Sequence, residues 1–134
     1  MKASNMNNDL ENLQRIFESY SQIKLVYLFG STARGDRGPM SDYDFAVFLG
    51  NKDSREVTRI RFELMDKLSR ALNTENTDVV MLDVARSPEL KYNILQEGQL
   101  IFEREPFRVI YEPAVLNEYF DFTAMLQKHG LTRA

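Results

Sequence analysis

The chain has 134 residues, 43% of them apolar, with no cysteine and a single histidine, His129. That length supports one globular domain spanning residues 1–134 and a single active site, and it is too short for two domains. Disulfides, thiolate zinc sites, cysteine nucleophiles and histidine-pair metal sites are excluded, so carboxylates must carry any metal chemistry; the net charge of −3 offers no general attraction to polyanions, which makes a nucleic-acid polymer a less natural partner than a nucleotide joined by a protein or small molecule.

In chain order, Met1 to Asn8 is polar and carries no signal-peptide pattern, and no apolar segment is long enough to span a membrane, which predicts a soluble, cytoplasmic protein. Asn8 with Glu11 reads as a capping box, and Leu10, Leu13, Phe17 and Tyr20 recur at helical spacing, predicting a first helix that ends near Tyr20. A buried strand follows over 24–29, Leu25-Val26-Tyr27-Leu28-Phe29 feeding into Gly30-Ser31. There the chain opens a turn with free backbone N–H groups, a place suited to phosphate oxygens. A glycine lets the backbone approach a phosphate closely, and the Ser31 hydroxyl adds a hydrogen bond. After the polar loop Thr32 to Ser41, a second strand begins at Asp42, and its period of two points Asp42 and Asp44 to one side. The strand continues as Phe45-Ala46-Val47-Phe48-Leu49, apolar on both faces, so two same-side charges at its start are costly unless a metal or a cleft receives them. Arg34 is the nearest cation able to fork onto a phosphate, with Arg37 second.

Asp53 with Glu56 caps the next helix, whose Val57, Ile60, Leu64, Leu68 and Leu72 form an apolar stripe, while Arg55, Arg59, Arg61, Lys67 and Arg70 lie mostly off it on a solvent face. Asp78-Val79-Val80-Met81-Leu82 is short and β-branched, hence a third strand. Ser87-Pro88-Glu89 places a cap and an N1 proline before a helix over Leu90 to Glu97, which Gly98 ends in a C′ role. Leu100-Ile101-Phe102 is a fourth strand. From Pro106 to Gly130 the pattern is helical, with Leu116, Tyr119, Phe120, Phe122, Met125 and Leu126 on a broad apolar face that is core cover or a partner surface, and with Pro113 starting or kinking the helix. The first two strands are joined by a loop too short for a crossover helix and are therefore antiparallel. The expected fold is α/β of the α+β type, a small mixed sheet of about four strands with helices packed mainly on one face. It brings the end of the first strand, the start of the second and one end of the third together.

Gly30-Ser31, the run Gly30-Ser31-Thr32-Ala33-Arg34-Gly35 and Ser41-Asp42-Tyr43-Asp44 resemble the signature of the DNA polymerase β-like nucleotidyltransferase superfamily, and in particular its minimal MNT-domain members, found as antitoxins beside HEPN-domain toxins. The likeness covers about residues 8–104 and is strongest over 25–49; the helical segment 106–130 matches only in general character. The superfamily places a third acid on a neighbouring strand, and Asp78 fits that position, although Glu75 or Asp83 can also be read as the third acid. Asp83 is five positions from Asp78, so in a regular strand only one of the two can join the cluster. The resemblance implies that Asp42 and Asp44 bind two Mg²⁺ ions, that Asp78 completes the site and orients or deprotonates the attacking hydroxyl, and that Gly30 and Ser31 hold the nucleotide's terminal phosphates. It further implies AMP transfer from ATP to a tyrosine of a HEPN toxin. The alternatives are an antitoxin that acts by contact with catalysis weak or lost, and an adenylyltransferase for a small molecule, against which the lack of an additional helical domain argues.

Overall fold

The structure is a computed structural model that describes residues 2–30 and 43–130, with side chains from residue 9 onward in the first helix. Its elements are α1 (Lys2–Glu18), β1 (Leu25–Phe29), β2 (Tyr43–Phe48), α2 (Ser54–Leu72), β3 (Thr77–Met81), α3 (Pro88–Glu97), β4 (Gln99–Glu103) and α4 (Phe107–Lys128). The strands form one mixed sheet in the order β3-β2-β1-β4. As expected, β1 and β2 are antiparallel, from Leu25 opposite Phe48 to Phe29 opposite Asp44. The crossover through α2 then lays β3 parallel to β2, as a connection containing a helix requires, and β4 returns antiparallel on the far side of β1.

Strand alternation divides the apolar residues between two layers. On one face Val26, Phe45, Val47, Val79 and Met81 pack with Leu13 and Phe17 of α1 and with Val57, Ile60, Leu64 and Leu68 of α2. On the other, Leu25, Tyr27 and Ala46 pack with Ile94 of α3, and Phe107 and Tyr111 of α4 join them. The helices therefore do not gather mainly on one face but divide two and two. The cause is visible in β1 and β2, which are apolar at successive positions; a strand without a polar face leaves neither side of the sheet fit for water. α4 is tied to this second layer by Tyr27, whose hydroxyl donates to Glu112 Oε2 at 2.6 Å, and by Tyr111 stacked on Phe48 at 4.2 Å. Burial and the Glu112 carboxylate both push the Tyr27 phenol upward.

Local signals account for most of the helix ends. Asp53 is the N-cap of α2, its carboxylate accepting from the Arg55 N–H at 3.1 Å, and Asn73 closes the helix in the left-handed region at φ 55°. Glu56 does not reach back as a capping box would; Arg59 and Gln22 donate to it instead. Ser87 caps α3 by accepting from the Leu90 N–H at 3.1 Å, with Pro88 at the first position. Gly98 follows that helix, but its φ of −77° is open to any residue. Glycine is demanded there by space, since a Cβ would overlap the Ile94 carbonyl oxygen and lie 3.3 Å from that of Leu28.

Two helices depart from expectation. α1 begins at Lys2, so Asn8 is inside it rather than capping it, and the helix ends at Glu18. Leu10 is exposed while Leu13 and Phe17 are buried, so among the described side chains of α1 it is those of the last turns that lie over the sheet. α4 begins at Phe107 and contains Pro113, which therefore does not start it. Of its large apolar residues only Val115 is fully buried, and Val109, Ile110, Phe120 and Met125 are exposed, so its apolar face covers the sheet only in part.

Candidate active site

β1 ends at Gly30, where the backbone turns at φ +81°, a conformation that side chains with a Cβ rarely adopt. The same position is crowded: a Cβ there would overlap Asp44 Oδ2. Both the backbone angle and the space favour glycine where the strand ends against that carboxylate. Asp44 is opposite Phe29 on β1 and directly beside Asp78 on β3, because β2 and β3 run parallel in the register Asp44 to Asp78. Strand alternation puts Asp44 on the side of Ala46 and Phe48, the face covered elsewhere by α3 and α4, and puts Asp78 on that side as well. Gly30, Asp44 and Asp78, three residues separated by up to 48 positions, thus meet at one end of three adjacent strands.

Ser31, Arg34, Arg37 and Asp42 lie outside the described residues. Among the described residues no group of three or more acidic or histidine side chains converges as a metal centre. The described part of the site is the neighbouring pair Asp44 and Asp78, which offers hard carboxylate oxygens and no nitrogen or sulfur. That donor chemistry fits Mg²⁺, which takes one or two protein carboxylates and completes its shell with water and phosphate oxygens.

The candidate third acids point to different places. Asp83 lies just past the other end of β3, where its Oδ1 accepts from the Leu49 N–H at 2.8 Å and its Oδ2 from those of Gly50 at 2.7 Å and Asn51 at 3.0 Å. It closes the loop between β2 and α2 and is remote from Asp44. Glu75 precedes β3 on an exposed turn. Asp78 alone stands beside Asp44 in the sheet.

One neighbour of the site was not singled out by the spacing of residues. Arg61, assigned from its helical position to a solvent face, crosses from α2 to the edge strand β3. Its Nε donates to the Val79 carbonyl at 2.7 Å, and its Nη2 lies 3.6 Å from Asp78 Oδ1. Its position beside the apolar stripe of α2 was visible, but that the stripe would lay this side chain over the edge of β3 depends on the packing of helix on sheet.

The strand thus ends in a glycine pressed against an acid, with a second acid on the next parallel strand. Residues 11–107 match the family Polymerase beta, Nucleotidyltransferase, and the chain belongs to that family of nucleotidyl-transferring enzymes. Among solved structures it is similar to a chain of a toxin–antitoxin complex with AMP-PNP, at 26% identity over 90% of this chain and 92% of that one, with a TM-score of 0.70. It shares its fold with a chain of a mutant MntA toxin–antitoxin complex (23% identity, 90% and 94% covered, TM-score 0.73) and with a chain of the tri-AMPylated Shewanella oneidensis HEPN toxin in complex with MNT antitoxin (22%, 92% and 93%, 0.68). Comparison with curated proteins yields no match. No described helix is long and apolar enough to cross a membrane.

Proposed function

We propose that this protein is a Mg²⁺-dependent adenylyltransferase that moves AMP from ATP to a tyrosine hydroxyl of a partner HEPN-type toxin and so acts as its antitoxin, in the cytoplasm. The observation that carries the reading is the contact of the Gly30 backbone with Asp44, with Asp78 next in register. The likeness to a toxin–antitoxin chain crystallised with AMP-PNP supports the choice of an adenine nucleotide.

In this reading the main-chain N–H groups from Gly30 and Ser31 receive the terminal phosphates, and Arg34 forks onto the same oxygens. Asp42, Asp44 and Asp78 would hold Mg²⁺, which supplies positive charge against the oxyanions of the substrate and of the pyrophosphate leaving group. Asp78 orients the tyrosine hydroxyl and accepts its proton. The tyrosine oxygen bonds to the α-phosphorus, the bond from that phosphorus to the bridging oxygen breaks, and pyrophosphate departs with the electron pair. In this reading the docked partner supplies the acceptor-side wall of the site.

The test is the intact mass of the HEPN-type protein encoded beside this chain, after incubation with the chain, Mg²⁺ and ATP, set against the Asp44→Asn variant. An AMP-sized increment seen only with the unaltered chain is the expected result. An unchanged mass in a tight complex, or protection from toxicity that survives Asp44→Asn, would replace this reading with inhibition by contact, for which the exposed Val109, Ile110, Phe120 and Met125 of α4 offer a surface.

A further inference from the structure

β3 is an edge strand, paired only with β2, so the outward main-chain groups of its residues have no strand to meet. At Val79 both are taken up by side chains. The N–H donates to Asp78 Oδ1 at 3.0 Å, and the carbonyl accepts from Arg61 Nε at 2.7 Å. The two side chains that do this are themselves joined, Arg61 Nη2 lying 3.6 Å from the same Asp78 Oδ1. The result is a closed ring of carboxylate, amide, carbonyl and guanidinium at the point where β3 enters the site.

From this ring we infer that Arg61 is a positioning residue for Asp78, holding its carboxylate by Oδ1 so that the remaining oxygen is presented to the acceptor side of the site. The proposal rests on the adenylyltransferase reading for its catalytic consequence, but its geometry stands apart from it. Three facts carry it. Among the described residues both contacts of Asp78 fall on one oxygen, Oδ1. The carboxylate is 54% exposed, and without a tether its torsions would be free to turn in water. A guanidinium is the one side chain that can serve a carbonyl through Nε and a carboxylate through Nη2 at once, because its donors form a rigid planar fork. Groups that orient an acidic ligand in this way commonly matter to activity by about 10- to 100-fold.

Two measurements decide it. The first is amide hydrogen exchange at Val79 in the isolated chain, followed by NMR with no nucleotide or metal present. We expect a protected Val79 N–H that becomes fast-exchanging in Arg61→Met as it does in Asp78→Ala, which removes the acceptor oxygen, because Asp78 turns away once the guanidinium is lost. Protection that persists in Arg61→Met would mean that Arg61 merely caps a carbonyl, and the proposal would fall. The second is AMP transfer: Arg61→Met should lower kcat by about tenfold or more with the KM for ATP unchanged, and Arg61→Lys, which keeps a charge beside Asp78, should recover part of that loss. Unchanged kcat in Arg61→Met, or a loss confined to KM, would overturn it. Should Arg61→Met fail to fold, Arg61→Lys carries both readouts, with partial loss of Val79 protection and of kcat expected and neither change counting against the proposal. If the unaltered chain transfers no AMP, the functional reading fails while the exchange experiment still decides the role of Arg61.

Discussion

The two ends of β3 each carry an aspartate, and the fold treats them in opposite ways. Asp83 has three main-chain N–H groups converging on its carboxylate, at 2.7 to 3.0 Å, and so locks the loop that leads from β2 into α2. Among the described residues Asp78 accepts one main-chain bond, from its own neighbour, and leans on Arg61, and it stands exposed next to Asp44 where β1 ends in Gly30. A carboxylate whose lone pairs are filled by backbone donors has little left to offer a ligand and serves the fold. One held on a single oxygen beside a second acid keeps capacity for chemistry.

The comparison can be broken most directly at the site end. Gly30→Ala adds a methyl group that overlaps Asp44 Oδ2 and does so at φ +81°, so AMP transfer should fall by about 100-fold or more as the carboxylate is displaced. A Gly30→Ala protein that transfers AMP at the normal rate would remove the close approach from the account of the site. At the other end the expected effect is on stability. Asp83→Ala strips three N–H donors of a charged partner and should cost about 3 kcal/mol, read by denaturant unfolding, with transfer per folded molecule near that of the unaltered chain. A large loss of transfer at full stability would instead mean that Asp83 belongs to the site.

The smallest effect belongs to a carboxylate away from both ends. Donation from Arg59 and then Gln22 holds Glu56 at about 2, below its ordinary value of 4.5. A carboxyl group lowered by folding contributes stability that is fully present above about 4.5 and is lost as the pH falls toward about 2. Glu56→Gln should therefore flatten the acid limb of the unfolding curve slightly between those limits, the effect being small because the pair is solvent-screened. An unaltered pH dependence would show that Arg59 and Glu56 are not paired in solution.

Much of the fold was legible in the residues. Each strand was found to within one or two positions, and the antiparallel turn from β1 to β2 followed from the length of the loop between them. Ser87-Pro88 and Asp53 marked the starts of α3 and α2 because capping is a local bond between a side chain and an N–H two or three residues on. The start of α1 was misplaced for a related reason: Asn8 and Glu11 have the spacing of a cap, but spacing does not exclude a helix that has already begun. Of the candidate site, the spacing picked out Gly30, Asp44 and Asp78, which the fold brings next to each other, whereas Ser31, Arg34 and Asp42 lie outside the described residues.

What the sequence determined by itself was everything that depends on composition and on neighbours along the chain: strand periodicity, caps, the absence of cysteine and of paired histidines, and the order Gly30, Asp44, Asp78. Tertiary structure alone decided that the helices cover both faces of the sheet, that Asp83 closes a loop, and that Arg61 reaches over β3 to Asp78. These outcomes depend on which strand lies at the edge and on how far a helix leans across it. Such distances arise between segments remote in the chain, and they are set by the packing of whole layers against each other.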